Sequence, residues 1–264
     1  MTFDAFKDFR LDGHKVIITG GAQNIGAGIA KMFSAAGADV LIADLKGDLA
    51  RATAQAIEKE TEHKCRGIGC DVTKEDDIKA TVALALKEFG GITTLVNNVG
   101  WGAVNPDPLA VSEEDLIASY KLNTISAYRM SAACVPHMLG FHNAAIVNSG
   151  SFSSAIPASE IIAYSTAKAA LNHLMACLAN ALAKKVRVNS VLIGTVLTEG
   201  YASAGIDEET QRKMENPDTL TGRPGRPQDV ANAMLWLASP AGSWVSGQTI
   251  NVQGGGHVLR LFGH

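Results

Sequence analysis

Residues 16–28 read VIITGGAQNIGAG, which is a short apolar run, a glycine-rich turn and the start of a helical pattern. Glycines in such a turn let the backbone approach a bound pyrophosphate closely. The helix that follows offers that anion unpaired N–H groups and the positive end of its dipole. The stretch therefore predicts a dinucleotide site, and the residues expected to line it here are Gly20, Gln23, Asn24, Ile25 and Gly26.

The alternation of strand and helix continues along the chain. Runs rich in Val and Ile, typical of parallel strands buried on both faces, occupy residues 16–19, 40–44, 66–70, 95–97, 145–149, 188–192 and 249–252. Helical spacing of apolar residues covers 25–36, 49–61, 75–89, 126–138, 163–183 and 229–238. This order predicts an α/β fold, namely a Rossmann-like doubly wound sheet of seven parallel strands with helices on both faces, in one domain over residues 1–264.

One long stretch, residues 195–227, has no periodic pattern and contains several glycines and prolines. Irregular segments of that length in a compact domain are usually functional. We expect a substrate lid, and the alternative is a variable surface excursion.

The composition excludes several classes of function. Of 264 residues, 47% are hydrophobic and 19% charged, which suffices for a large core. The net charge of -3 argues against nucleic acid and anionic membranes as partners. We expect no signal peptide and no membrane span, because the first residues lack the signal pattern and no apolar run approaches about 20 residues.

Cysteine and histidine usage points to a cytoplasmic protein without a metal. The four cysteines form no CxxC pair, so free buried thiols in a reducing compartment are expected. Cys65 and Cys70 should point to opposite faces of the sheet. The seven histidines are scattered and form no HExxH motif, so no metal site is predicted.

The end of the second predicted strand indicates which dinucleotide binds. Asp44 closes that strand at the expected distance from the glycines. Its carboxylate can accept hydrogen bonds from the adenosine ribose hydroxyls and would repel a 2′-phosphate. Lys46 is the one nearby cation that could weaken this preference. NAD is the predicted cofactor.

Tyr164 and Lys168 stand four residues apart in a predicted helix, so their side chains share one face. A neighbouring ammonium group and a positively charged nicotinamide ring favour the phenolate and lower the pKa of a tyrosine, which is ordinarily about 10. Tyr164 can then act as general base in alcohol oxidation and as general acid in ketone reduction.

These motifs together resemble the short-chain dehydrogenase/reductase family, over residues 11–255. Residues 19–26 resemble its TGxxxGxG turn, with Asn24 at the middle glycine, and Asn is among the few residues that tolerate positive φ. Residues 97–100 read NNVG and resemble its NNAG segment. Tyr164 and Lys168 match its YxxxK signature, with Ser151 thirteen residues earlier.

The resemblance implies roles for further residues. Ser151 would orient the substrate oxygen, Lys168 would also hold the nicotinamide ribose, and Asn123 would kink a helix and link the lysine to a chain of waters. Thr198 would bind the carboxamide of nicotinamide, in a loop where Ile193 replaces the family's proline. Besides Tyr164 and Lys168, the remaining cofactor contacts that it implies are Asp71, Val72, Asn98, Val99, Gly100, Gly194 and Val196. It also implies a homotetramer.

The expected substrate is a bulky hydrophobic secondary alcohol or ketone. The residues expected to line its pocket are largely apolar and include no Arg or Lys: Trp101, Ser151, Phe152, Ile156, Leu197 and Tyr201. Residues 97–100, 225–233 and 239–248 also resemble segments of bacterial hydroxysteroid dehydrogenases, in particular those acting on the 7α-hydroxyl of bile acids. Two alternatives remain open: a 3-oxoacyl thioester reductase, and an NAD(H)-sensing binding protein without catalysis.

Overall fold

The computed structural model describes Asp4, residues 6–198 and residues 219–255. Within these ranges the strands are β1 (Lys15–Thr19), β2 (Asp39–Asp44), β3 (Cys65–Gly69), β4 (Thr94–Asn97), β5 (Ala145–Ser151), β6 (Arg187–Ile193) and β7 (Thr249–Val252). They form one parallel sheet in the order β3-β2-β1-β4-β5-β6-β7. The predicted Rossmann-like, doubly wound α/β fold is confirmed.

Helices cover both faces of the sheet. In the described ranges they are α1 (Asn24–Ala35), α2 (Gly47–Thr61), α3 (Glu75–Phe89), α4 (Glu113–Tyr120), α5 (Ser126–Cys134), α6 (Ile162–Ala181) and α7 (Pro227–Ala238). Successive strand residues point to opposite faces. Val16 and Ile18 therefore pack in a core with α1, α2 and α7, whereas Ile17 packs in a second core with α3, α5 and α6.

Two helical details differ from the predictions. The helix expected over residues 126–138 ends at Cys134 and continues as a 3₁₀ turn, Val135–His137, which contains Pro136. The resemblance implied helices around residues 112–138, but the helical spacing did not give the bounds of α4, whose amino end carries a capping box formed by Ser112 and Asp115. That pair is a sequence signal that would have located the helix.

The adjacency of β1 and β4 creates the switch point of the sheet. The chain first winds outward through β2 and β3, then returns across β1 to β4 and continues in the other direction. In doubly wound sheets, ligands bind outside the carboxyl ends of the strands at this crevice. The turn after β1 and the segment after β4 therefore face each other across one cleft.

The four cysteines are free, and three of them are buried. Cys65 packs in the core with α1 and Cys70 in the core with α3, so the predicted opposite orientation is confirmed. The expectation of burial is wrong for Cys177, which lies exposed on the outer face of α6. Helical periodicity alone does not show which side of a helix lies against the sheet.

No helix in the described part of the chain is long and apolar enough to cross a bilayer. Most of the predicted lid, including Tyr201, lies outside the described residues.

Candidate active site

The glycine-rich turn is held against the end of β4. Gly20 and Asn24 both have left-handed backbone, with φ of 63° and 54°. A Cβ on Gly26 would collide with the carbonyl oxygen of Gly20, so no larger residue fits there. The Asn98 side chain donates from Nδ2 to that same oxygen, at 2.9 Å. The amino end of α1, whose first turn carries no acidic side chain, thereby opens into the cleft.

Asp44 anchors the neighbouring loop through its carboxylate. One oxygen accepts the N–H of Ala22 at 3.1 Å and the other accepts the N–H of Lys46 at 3.0 Å. The Lys46 ammonium lies 3.4 Å from the Gln23 side-chain oxygen, and all four residues line the cleft. Each carboxylate oxygen keeps lone pairs for a ligand.

Asp71 and Val72 form the wall of the cleft beyond β3. The carboxylate of Asp71 accepts hydrogen bonds from the hydroxyl of Thr73 at 2.6 Å and from its N–H at 3.0 Å. These bonds hold the pKa of Asp71 below its usual range, with the Thr73 hydroxyl as the largest cause. Val72 is buried beside it.

Tyr164 and Lys168 lie on successive turns of α6, and both line the cleft. The Lys168 ammonium lies 5.7 Å from the centroid of the Tyr164 ring. It donates to the carbonyl oxygens of Ser149, at 2.8 Å, and Val99, at 3.4 Å. The two carbonyls belong to β5 and to the segment after β4, so Lys168 is oriented by two neighbouring strands.

The Lys168 side chain is almost completely enclosed by protein. Its side chain is 1% exposed. Burial lowers the pKa of Lys168 to about 8, from an ordinary value of 10.5, because desolvation penalises the ammonium form. The group is still largely protonated at neutral pH and places a positive charge beneath the tyrosine ring.

Ser151 is the last residue of β5, two residues beyond the predicted end of the strand. It pairs with Ile193 of β6, so its position belongs to the sheet and not to a loop. Its side chain accepts a hydrogen bond from the N–H of Ser153 and lines the same cleft as Tyr164.

Asn123 lies in a π-helical turn, Lys121–Ile125, between α4 and α5. Its side-chain oxygen accepts the N–H of Trp101 at 3.2 Å, and its amide donates to the carbonyl oxygen of Trp101 at 2.9 Å. The side-chain amide of Asn123 thus both accepts from and donates to the backbone of the segment after β4. The role visible in the structure is to hold the Trp101 segment in place. Single π turns inside helices often mark functional sites.

The segment after β6 approaches the cleft from the far side. Ile193 occupies a ladder position opposite Val252, and the N–H of Gly194 donates to the Val252 carbonyl at 3.1 Å. Val196 forms a short parallel bridge with Gly225. Sheet pairing therefore fixes the start of this loop without the proline, and Gly194, Val196 and Thr198 all line the cleft.

One cleft of about 1300 Å³ collects every residue predicted to contact the cofactor. It runs from Asp44 and Asp71 at one end to Tyr164 and Thr198 at the other. Lys46 and Ile193, which the sequence placed near the cofactor, line it too. Sequence reasoning missed further residues that line it: Ala22, Ala27, Leu45, Leu49, Thr53, Cys70, Leu122, Ser149 and Gly150. Leu45 directly follows the second predicted strand and Cys70 is the last residue of the third, which is a usable signal. Leu49 and Thr53 required knowledge of how α2 packs.

Only some of the residues predicted to contact the substrate line this cleft. Trp101 and Ser151 line the cleft, and Trp101 is 66% exposed. Phe152, Ile156 and Leu197 are not part of its lining. Ile156 is 37% exposed beyond the 3₁₀ turn that follows β5.

Comparison with known proteins identifies the family. A family model described as enoyl-(acyl carrier protein) reductase matches residues 20–257. The 7α-hydroxysteroid dehydrogenase of Escherichia coli is 36% identical over 252 residues, which are 94% of this chain and 96% of that protein. The chain belongs to the short-chain dehydrogenase/reductase family. It is an oxidoreductase close to the hydroxysteroid dehydrogenases.

Solved structures of other short-chain dehydrogenases/reductases share the fold over nearly the whole chain. A 7α-hydroxysteroid dehydrogenase in complex with NADH and 7-oxo glycochenodeoxycholic acid is 35% identical, with a TM-score of 0.89, and the match covers 97% of this chain and 98% of that one. L-sorbose reductase of Gluconobacter frateurii, solved with NADPH and L-sorbose, is 25% identical, with a TM-score of 0.87 and coverage of 94% and 98%. These relatives therefore include proteins bound to either nicotinamide cofactor.

Proposed function

We propose that this oxidoreductase transfers a hydride between NAD(H) and a secondary alcohol or ketone, with Tyr164 as the acid–base catalyst. The observation that carries the proposal is the meeting of Tyr164, Lys168 and Ser151 in one cleft at the carboxyl end of the sheet. A buried ammonium 5.7 Å from the Tyr164 ring centroid favours a negative charge on that residue. A sensor protein without catalysis has no need of this arrangement.

The cleft fits a nicotinamide dinucleotide. A side chain at position 26 would fill the space beside the amino end of α1, and the free N–H groups there suit a pyrophosphate. Asp44 offers carboxylate lone pairs to ribose hydroxyls, and Lys168 and Thr198 lie at the opposite end. When bound, the nicotinamide supplies or accepts the hydride.

The other steps belong to the side chains of the chain itself. In oxidation, Tyr164 accepts the proton of the substrate hydroxyl, and in reduction it returns a proton to the oxygen. Ser151 donates a hydrogen bond to that oxygen and sets its position. Lys168 stabilises the phenolate through its charge and takes part in holding the ribose of the cofactor. Asn123 keeps the Trp101 segment in register and takes part in the supply of protons through water.

Substitution of Asp44 by Ser is expected to move the cofactor preference from NAD toward NADP by about 100-fold or more. The change removes charge-assisted hydrogen bonds to the ribose and the repulsion of a 2′-phosphate, each worth on the order of 1.5–3 kcal/mol. The measurement is kcat/KM with NAD⁺ and with NADP⁺. Asp48→Ser, which removes an exposed carboxylate of α2 outside the cleft lining, is the matched control. An unchanged ratio in Asp44→Ser would show that Asp44 does not select the cofactor.

The substrate class that we propose is a bulky hydrophobic or steroid-like alcohol or ketone. The cations in the described cleft lining are Lys46, beside Asp44, and Lys168, which is bonded to two carbonyls. Neither is placed to clamp a phosphate or carboxylate near Ser151. The exposed ring of Trp101 offers an apolar contact, and the 36% identity to a 7α-hydroxysteroid dehydrogenase supports a steroid.

A turnover panel tests the proposed function. NADH or NADPH fluorescence is followed with hydroxysteroids, cyclic alcohols, sugars and 3-oxoacyl thioesters, each with both cofactors. We expect oxidation of a steroid or cyclic alcohol with NAD⁺. Turnover confined to NADPH and thioesters would support the alternative of a 3-oxoacyl thioester reductase, and NADH binding without any turnover would support a sensor.

We also propose that the chain assembles as a homotetramer. Leu116, Ile117 and Tyr120 of α4 are 40%, 45% and 44% exposed, an unusual amount of apolar surface for one short helix. They lie beside α6, the two helices being packed together. Light scattering on the purified protein should give four times the chain mass of 27.7 kDa. The mass of a single chain would contradict the proposal.

A further inference from the structure

The hydroxyl of Ser151 has a close polar neighbour two residues along the chain. The Ser151 Oγ and Ser153 Oγ atoms are 2.9 Å apart, and the N–H of Ser153 also donates to Ser151 Oγ, at 3.3 Å. Both serines are half-buried at the start of the 3₁₀ turn Phe152–Ser154. The motifs that identified the active site do not include Ser153.

The hydrogen-bonding capacity of a hydroxyl limits how this pair can be arranged. A serine hydroxyl has one proton to donate and two lone pairs to accept with. If Ser153 donates to Ser151, both lone pairs of Ser151 are occupied and its proton is available to a third group. If Ser151 donates to Ser153 instead, it has no proton left for a substrate oxygen.

Resting on the proposed function, we propose that Ser153 is a positioning residue that holds the Ser151 hydroxyl as a donor toward the substrate oxygen. A ketone oxygen only accepts hydrogen bonds. When Ser153 donates to Ser151 and Ser151 donates to the ketone oxygen, all three groups have a hydrogen-bond partner. Each bond in such a chain polarises the next. Ser153 acts through Ser151 and needs no contact with the substrate.

Ser151 itself is fixed by other contacts. The Ser154 hydroxyl donates to the Ser151 carbonyl oxygen at 2.5 Å, and the Asn172 side chain donates to Ser154 Oγ at 2.8 Å. Asn172 lies one turn beyond Lys168 on α6, so this path ties Ser151 to the helix of Tyr164. Together with the β5–β6 ladder, it keeps Ser151 in place when the Ser153 hydroxyl is removed.

Ser153→Ala is expected to lower kcat by about 3- to 10-fold, the value of one hydrogen bond, with KM changed less than about 2-fold. Ser153→Thr, which keeps the hydroxyl, should restore kcat. Thr166→Ala is the matched control. It also deletes a hydroxyl close to Tyr164 in sequence, but that hydroxyl bonds to carbonyls of its own helix, Ile162 and Ala163. The substrate is the panel alcohol that the wild type oxidises fastest.

A double-mutant cycle separates positioning from general damage. Because Ser153 acts through Ser151, Ser151→Ala and the double variant Ser151→Ala/Ser153→Ala should have the same kcat within about 2-fold. Losses that multiply would overturn the proposal, as would a Ser153→Ala variant with unchanged kcat.

A spectroscopic measurement does not depend on turnover. Cyclohexanone labelled with ¹³C at the carbonyl is bound together with NAD⁺, a pair that cannot react because neither donates a hydride. Hydrogen bonding to the oxygen moves the ¹³C resonance downfield. We expect that shift in the wild type and in Ser153→Thr, and a smaller one in Ser153→Ala. Equal resonances in wild type and Ser153→Ala, or no shift in the wild type, would refute the proposal. A wild type that turns over nothing on the panel would instead contradict the proposed function.

Discussion

Replacement of Tyr164 by Phe is expected to lower kcat by about 10²- to 10⁴-fold, the usual contribution of a general acid or base. The variant keeps the aromatic ring that lies over Lys168 and removes only the hydroxyl that exchanges a proton with the substrate. NADH formation with the best panel alcohol measures kcat.

Two controls make the result of Tyr164→Phe specific. Titration by NADH fluorescence should give a dissociation constant for NADH within about 3-fold of the wild type. The other residues that contact the cofactor are unchanged in this variant. Tyr128→Phe makes the same chemical change on α5, where the tyrosine is 46% exposed, and should leave kcat unchanged. Retention of more than a tenth of wild-type kcat in Tyr164→Phe would assign proton transfer to another group.

Lys168→Met is expected to abolish useful turnover and at the same time to stabilise the fold. A pKa lowered from 10.5 to about 8 means that burial of the ammonium costs about 3 kcal/mol of folding free energy at neutral pH. Loss of the hydrogen bonds to Ser149 and Val99 offsets part of the gain. A net stabilisation of about 1–2 kcal/mol, or a few degrees in Tm, should remain.

The difference in stability between wild type and Lys168→Met should depend on pH. Because the folded pKa of Lys168 lies below the unfolded value, the folded chain binds fewer protons between about pH 8 and 10.5. Wild-type stability therefore rises across that window relative to Lys168→Met, and the advantage of the variant should shrink. Thermal melts at pH 7 and pH 10 measure both differences.

Lys168→Arg provides the contrast to Lys168→Met, because it keeps a positive charge but needs more space. A Cβ added at Gly100 would already lie 2.6 Å from the lysine nitrogen, so a guanidinium group has no space there. We expect Lys168→Arg to be less stable than the wild type. A Lys168→Met variant that is also less stable at pH 7 would show that the buried charge is fully compensated by its hydrogen bonds.

The sequence predicted the position of Lys168 on its helix but not its burial. The spacing of Tyr164 and Lys168 predicted that they share a helix face, and they do. Their spacing cannot show that the ammonium is almost fully buried, because the groups that enclose it come from β5 and from the segment after β4. Burying the ammonium group of Lys168 costs folding free energy, so stability alone does not account for a lysine at that site. Its presence there suits a function that requires the charge.

Local signals in the sequence were enough to predict the strands, the conformation of the glycine-rich turn and the carboxylate expected to bind the ribose. Apolar runs and glycine turns located all seven strands to within two residues at each end, although the edge strands β3 and β7 are only partly buried. The tolerance of asparagine for positive φ predicted the backbone of the turn at Asn24, which the structure confirms. Asp44 was found from its position at the end of the second predicted strand, whereas the resemblance to the family implied Asp71, Val72 and the residues after β4.

Tertiary structure alone decided the features that depend on which elements become neighbours. The placement of β4 beside β1 brings Asn98 to the Gly20 carbonyl, although 78 positions separate them. The packing of α2 brings Thr53 to the cleft, and the outward face of α6 leaves Cys177 exposed. The Ser153–Ser151 contact is close in sequence, yet its meaning depends on the cleft beyond it. Local propensity acts over a few residues, whereas the burial of a charge or the lining of a cleft is set by contacts between segments far apart in the chain.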